Sequence, residues 1–102
     1  MQVTVYNCRE FDEKELFLRY EKELGMELVL CADAPTLENI NLSKGSACVD
    51  IITSKITREL MQAFYENGVR YLTTRTIGYD HIDLEAAIEF GIKVGTAPYG
   101  PN

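Results

Sequence analysis

Short stretches rich in β-branched and aromatic residues alternate along the chain with stretches whose apolar residues recur at helical spacing. The first pattern is typical of strands buried in a sheet, and the second of helices with one apolar face. Five strands are predicted, at residues 2–7, 26–31, 47–53, 69–74 and 92–95. The third is a continuous apolar run interrupted only by Asp50.

Two helices are predicted in the first half of the chain. The first follows a capping-box pattern formed by Asp12 and Glu15, and it ends at Gly25. The second is short, covers residues 36–42 and has Thr36 as its N-cap.

Two more helices are predicted in the second half. The third ends near residues 67–68 and the fourth, with Asp83 as its N-cap, ends at Gly91. The predicted inward face of the third helix is Ile56, Leu60, Ala63 and Phe64, and that of the fourth is Leu84, Ala87 and Ile88.

This alternation of strands and helices predicts one α/β domain over residues 1–102. Helical crossovers between neighbouring strands are right-handed and give a parallel sheet covered on both faces. The expected architecture is a flavodoxin-like three-layer sandwich with a five-stranded parallel sheet in the order 2-1-3-4-5. Ligands of such sheets bind beyond the carboxyl ends of the strands, so the chemistry is expected in the loops there.

Composition narrows the function classes. A net charge of −6 opposes nonspecific nucleic-acid binding, which needs a basic surface. The sequence has no apolar run of the roughly 18 residues that span a membrane, and its first residues lack a signal-peptide pattern, so we expect a cytoplasmic protein. The three cysteines form no CxxC pair, which predicts inert thiols near strand ends and no metal site.

Common nucleotide-binding motifs are absent. No two glycines stand two residues apart, which excludes the G-x-G-x-x-G turn, and no Walker P-loop is present, so we expect no NAD or ATP bound in the usual glycine turn. The loop after the first strand is acidic and bulky, unlike the hydroxyl-rich phosphate loop of a flavodoxin. A phosphorylation receiver domain is disfavoured because Asp50 lies inside the third strand rather than past its end.

The loop after the fourth strand is the most informative. Gly78 can bring the backbone close to a ligand, and successive N–H groups there can bind an anion such as a carboxylate. Alternatively, Gly78 only enables a turn before a helix that Asp80 or Asp83 caps. The lone histidine, His81, is expected to pack or hydrogen-bond in this turn; the alternative is a general acid or base facing a cleft.

The stretch GVRYLTTRTIGYDHID, residues 68–83, resembles the N-terminal domain of the D-isomer-specific 2-hydroxyacid dehydrogenases, and within that family the D-lactate dehydrogenase and VanH-like enzymes. The match continues over residues 91–92 and 94–102, and the end of this segment corresponds to the family's hinge into its nucleotide domain, with Gly100 where serine is usual. The resemblance to the family is strong in sequence over residues 68–102, whereas over residues 1–67 it is limited to the predicted architecture.

The resemblance implies an oxidoreductase that interconverts 2-keto acids and D-2-hydroxy acids with NAD. The family's catalytic histidine, glutamate and arginine lie downstream of Asn102, so the resemblance implies no catalytic residue here and gives neither His81 nor Arg75 those roles. The chain is then a substrate-binding (catalytic) domain truncated at the hinge, about residues 96–102, which binds no cofactor itself.

The resemblance also implies substrate contacts. The backbone N–H groups of Ile77 and Gly78 match those that bind the substrate carboxylate, and Tyr99 matches a hinge tyrosine that lines the same pocket. Ile52, near the end of the third strand, matches a residue that closes the side-chain pocket, and an apolar residue there favours pyruvate or slightly larger apolar keto acids.

The main hypothesis is therefore the substrate-binding domain of an NAD-dependent D-lactate-type dehydrogenase, inactive as an isolated fragment. The alternative is a stand-alone, non-catalytic small-molecule-binding or interaction domain of flavodoxin-like fold; a third possibility, an engineered folding fragment, would behave chemically like the first. The resemblance implies a homodimeric parent enzyme. It also implies a C-terminal segment that returns to pack on this domain, so we expect the fragment to self-associate through uncovered apolar surface.

Overall fold

A computed structural model describes residues 2–8, 18–19, 22–23, 25, 27–52, 54–75 and 78–96. All the strands in these ranges pair in parallel, in the order β2-β1-β3-β4-β5. The α/β class and the predicted strand order are therefore confirmed. The strands are β1 (Gln2–Val5), β2 (Glu27–Leu30), β3 (Cys48–Ile51), β4 (Tyr71–Thr74) and β5 (Lys93–Thr96).

Two helices are described in full, α1 (Arg58–Glu66) and α2 (Leu84–Phe90). The Asp83 carboxylate accepts a hydrogen bond from the Ala86 N–H at 3.0 Å, as its predicted N-cap role requires. Gly91 ends α2 with φ 71°, a left-handed conformation that favours glycine. Residues 18–19 and 22–23 are helical, in agreement with the first predicted helix, whose capping-box residues lie outside the described ranges.

The predicted helix over residues 36–42 is replaced by a turn followed by a short 3-10 helix, Ile40–Ser43. The Thr36 hydroxyl accepts hydrogen bonds from the Glu38 and Asn39 N–H groups, both at 3.2 Å. The Asn39 side chain donates to the Ala34 carbonyl at 2.9 Å. Such local bonds satisfy the backbone in a turn and compete with the α-helical ladder.

The predicted inward face of α2 is only partly correct. Ala87 is buried, together with Ala86, but Leu84 is 43% exposed and Ile88 is 81% exposed. The apolar residues of this helix form two overlapping faces whose directions differ by about 100°. The face that contains the two alanines packs against the core, and the face that contains Leu84 and Ile88 does not. Leu84 and Ile88 instead line an open groove beside Val94 of the edge strand β5.

The core lies on both faces of the sheet, as expected of a parallel sheet. On one face, Phe64 of α1 is fully buried and its ring centre lies 6.1 Å from that of Tyr6. The other face carries a smaller buried cluster, composed of Val3, Val5 and Cys8 with Leu28, Leu30 and Cys48 packed against it.

The cysteines lie at or near strand ends, as predicted, and none forms a disulfide. Cys8 is buried, Cys31 directly follows β2, and Cys48 begins β3. Burial raises the pKa of the Cys48 thiol to about 11. Because the thiolate is the reactive form, this thiol is inert at neutral pH.

Tyr6 gives the fold a defined alkaline response. Its buried hydroxyl donates to the Asn39 carbonyl at 3.1 Å, and burial raises its pKa to about 12. The folded state therefore holds this proton more tightly than the unfolded chain, whose tyrosines titrate near 10. The contribution of Tyr6 to stability is complete below about pH 10 and is lost as the pH rises towards about 12.

We therefore expect the unfolding free energy of Tyr6→Phe to fall less between about pH 10 and pH 12 than that of the wild type. Urea denaturation at both pH values measures the difference. Equal losses in the two proteins would contradict this prediction.

Candidate functional site

The carboxyl ends of β1, β3 and β4 meet at one edge of the sheet. The Tyr6 N–H donates to the Asp50 carbonyl at 2.9 Å, and the Arg75 N–H donates to the Ile51 carbonyl at 2.8 Å. These bonds continue the parallel pairing one residue past β1 and β4, so the following loops start side by side. This is the edge at which parallel α/β sheets bind ligands.

Gly78 lies in the loop that follows β4 at this edge. It is exposed, and a Cβ atom added to it would meet nothing within 4 Å. The described residues therefore leave open space beside Gly78, into which a ligand could approach closely.

Hydrogen bonds to the segment after β3 close the far end of the same loop. The Ile56 N–H donates to the His81 carbonyl at 2.8 Å, and the Asp83 N–H donates to the Ile56 carbonyl at 3.0 Å. The Thr74 hydroxyl donates to the Ile52 carbonyl at 2.9 Å and contacts the His81 Nε2 at 3.1 Å. Since that hydroxyl has one hydrogen, the His81 Nε2 must be the donor in the second contact. His81 thus hydrogen-bonds in the turn, as predicted.

Ile52 directly follows β3 and is half-buried. Its carbonyl is held by the Thr74 hydroxyl, which ties it to the base of the Gly78 loop. Nearby, the Ser54 hydroxyl donates to the Asn7 side-chain oxygen at 2.6 Å. Asn7 has φ 59°, a left-handed conformation that asparagine adopts more readily than most residues, and this bond links its side chain to the segment after β3.

A buried ion pair underlies the site. The Arg75 Nε lies 3.0 Å from the Asp50 Oδ2, and their side chains are 7% and 0% exposed. The other Asp50 oxygen accepts a hydrogen bond from the Thr73 hydroxyl at 2.8 Å, and the Arg75 guanidinium also donates to the Tyr6 carbonyl at 2.5 Å. The pair therefore connects β3, β4 and the residue that follows β1.

Sequence reasoning found Asp50 but missed its partner. A charged residue inside an apolar strand is almost always paired, which was the available signal. In the parallel register, Thr73 lies opposite Asp50. Arg75 follows two residues later, just past the end of β4, and an extended chain directs its side chain to the same side of the sheet as that of Thr73. The guanidinium of Arg75 is thus engaged by the Asp50 carboxylate inside the protein.

Of the four predicted substrate contacts, Gly78 and Ile52 lie on this edge of the sheet, whereas Ile77 and Tyr99 lie outside the described residues. Within the described ranges, no group of three or more histidine, cysteine, aspartate or glutamate side chains could hold a metal ion. The same part of the chain contains no helix long and apolar enough to cross a membrane.

Comparison with known proteins extends this picture. Residues 4–102 match the family model of the D-isomer specific 2-hydroxyacid dehydrogenase, catalytic domain. The chain is 34% identical over 103 residues to a D-specific alpha-keto acid dehydrogenase of Enterococcus faecalis, covering 100% of this chain and 32% of that protein.

Solved structures agree. The apo-structure of D-lactate dehydrogenase from Escherichia coli superposes with a TM-score of 0.86 at 27% identity, over 96% of this chain and 31% of that one. The NAD complexed form of the D-isomer specific 2-hydroxyacid dehydrogenase from Lactobacillus delbrueckii ssp. bulgaricus shares the fold, with a TM-score of 0.87 at 19% identity over 99% of this chain and 31% of that one.

The chain spans about a third of the length of these relatives. The family model nevertheless covers almost all of it, and the strand order is that expected from the sequence. The chain therefore belongs to the D-isomer specific 2-hydroxyacid dehydrogenases and corresponds to their catalytic domain.

Proposed function

We propose that these residues form the substrate-binding part of an NAD-dependent D-2-hydroxyacid dehydrogenase of the D-lactate type, which interconverts 2-keto acids and D-2-hydroxy acids. The observation that carries the proposal is Gly78, an exposed glycine with open space beside it, in a loop anchored at both ends on the ligand edge of the sheet. Backbone N–H groups in such a loop orient a carboxylate without a charged side chain.

In this proposal the substrate carboxylate lies on the N–H groups of Ile77 and Gly78, while Ile52 and Tyr99 enclose its side chain. NADH, bound by another part of the enzyme, would supply the hydride for reduction of the keto acid, and NAD⁺ would accept it in the reverse direction. This chain contributes substrate binding and orientation rather than proton transfer or hydride transfer.

A chimera tests the proposal. The chain would replace the matching 103 residues of the Enterococcus faecalis relative, and NADH oxidation would be followed with pyruvate and with phenylpyruvate. We expect the chimera to turn over at least one keto acid and the 102-residue chain alone to turn over neither. Turnover by the chain alone, or a folded chimera that binds NADH but reduces no keto acid, would contradict the proposal. An inactive chimera together with keto-acid binding by the chain would favour the stand-alone binding domain.

Ile52 is proposed to set the size of the accepted side chain. Truncation to alanine removes three carbon atoms from the pocket wall, and each methylene group in an apolar pocket changes discrimination by about 1–3 kcal/mol. We expect Ile52→Ala in the chimera to raise the ratio of kcat/KM for phenylpyruvate over pyruvate by roughly tenfold or more. An unchanged ratio would remove Ile52 from the pocket.

The groove beside α2 is the proposed route of self-association for the isolated chain, whereas the parent enzyme is proposed to be a homodimer. Ile88 is 81% exposed in this groove, and exposed apolar surface favours association. We expect the wild-type chain to associate with rising concentration in sedimentation experiments, and Ile88→Glu to be monomeric. Glu85→Lys, an exposed change on the same helix, is the control. A monomeric wild type would refute this route.

A further inference from the structure

Arg75 occupies the position where β4 ends and the Gly78 loop begins. Its guanidinium contacts the Asp50 carboxylate of β3 and the Tyr6 carbonyl after β1, and its N–H donates to the Ile51 carbonyl. One residue thus connects three strand ends at the ligand edge of the sheet.

Stability alone does not explain this buried pair. Removing two charges from water is costly, and replacing a buried ion pair with apolar residues of similar volume is often neutral or stabilising. The pair does fix the orientation of the Arg75 side chain, because the guanidinium is planar and presents its donors in a fixed fork. Asp50 is itself oriented by the Thr73 hydroxyl, so both partners are held in one geometry.

The pair lies beside the Gly78 loop, so its fixed orientation can affect the conformation of that loop. Gly78 lies three residues after Arg75, and the His81 carbonyl fixes the far side of the loop through the Ile56 N–H. Backbone donors act on a carboxylate only when they are held close to the productive geometry. We infer that Arg75, oriented by Asp50, is a positioning residue that holds the Gly78 loop in its substrate-binding conformation. This inference rests on the proposed function.

The test removes the pair without leaving a buried charge. The double variant Asp50→Val/Arg75→Met is compared with the wild-type 102-residue chain and with Arg58→Met, a control at an exposed arginine. In the ligand-free, ¹⁵N-labelled proteins, we expect the thermal midpoint of the double variant to stay within about 5 °C of wild type. Its Gly78 amide order parameter should fall, whereas those of α1 should not change. An unchanged Gly78 order parameter would overturn the inference whether or not a keto acid binds.

Pyruvate titration then connects the loop to the ligand. We expect the dissociation constant of the double variant to rise roughly tenfold or more, and that of Arg58→Met to equal the wild-type value. If the double variant binds pyruvate with the same dissociation constant as the wild type, the inference is overturned. Absence of binding by the wild type would count against the proposed function instead, while the order parameter still decides the positioning role.

Arg75→Lys keeps the test decisive if the double variant does not fold. It preserves the charge beside Asp50 but lacks the planar fork that also reaches the Tyr6 carbonyl. We expect it to fold, with a lowered Gly78 order parameter and weaker pyruvate binding. Wild-type values of both would overturn the inference.

Discussion

Replacing Asp50 with alanine is expected to lower the free energy of unfolding by about 3–5 kcal/mol. The substitution leaves the Arg75 guanidinium in a site where its side chain is 7% exposed, without the carboxylate 3.0 Å away. Breaking one side of a buried pair is costly because the remaining charge cannot recover its hydration. Thr73 would lose a hydrogen-bond acceptor at the same time.

Urea denaturation of the wild-type chain and Asp50→Ala measures this loss. Glu89→Ala is the matched control, because Glu89 forms an ion pair with Arg58 in which both side chains are about half exposed. Solvent screens such a pair, so we expect its removal to change stability little. If the two alanine variants are equally stable, the Asp50 carboxylate does not compensate the buried charge of Arg75.

The second large effect is on function. Gly78→Ala in the chimera is expected to raise KM for the keto acid by roughly 10- to 100-fold, since hydrogen bonds to charged groups are worth about 1.5–3 kcal/mol. A methyl group at this position would occupy the open space that the proposal gives to the substrate carboxylate. Stability should be retained, because the added Cβ atom meets no atom of the described residues within 4 Å, its own chain neighbours aside.

Gly95→Ala in β5 is the matched control for this variant. A Cβ atom added there also meets none of the described residues within 4 Å, apart from the glycine's own chain neighbours. We expect Gly95→Ala to retain the parent KM. If Gly78→Ala has the same KM as the unsubstituted chimera, the substrate does not approach the backbone at Gly78.

The strand order and the two caps of α2 could be predicted from the sequence because they depend on local pattern and on the handedness of crossovers. Asp83 is an example, since an N-cap acts within its own helix turn. The 3-10 helix at Ile40–Ser43 was missed because the side-chain bonds of Thr36 and Asn39 override the apolar spacing of that segment.

Features that depend on tertiary contacts were less accessible. The inward face of α2 was misassigned at Leu84 and Ile88, because their apolar character alone does not tell which of two overlapping faces meets the core. The Asp50–Arg75 pair could be predicted only with knowledge of the register of β3 against β4. Gly78 was identified by resemblance, since its spacing alone also fits a simple turn.

Titration of the ¹⁵N-labelled chain with pyruvate measures carboxylate binding at the loop after β4. We predict that the Gly78 amide signal shifts saturably and more than the signals of β2 and α1, and that methyl pyruvate, which lacks the free carboxylate, does not shift it. A Gly78 signal that stays in place at saturating pyruvate, or that moves equally with methyl pyruvate, would contradict carboxylate binding by this loop.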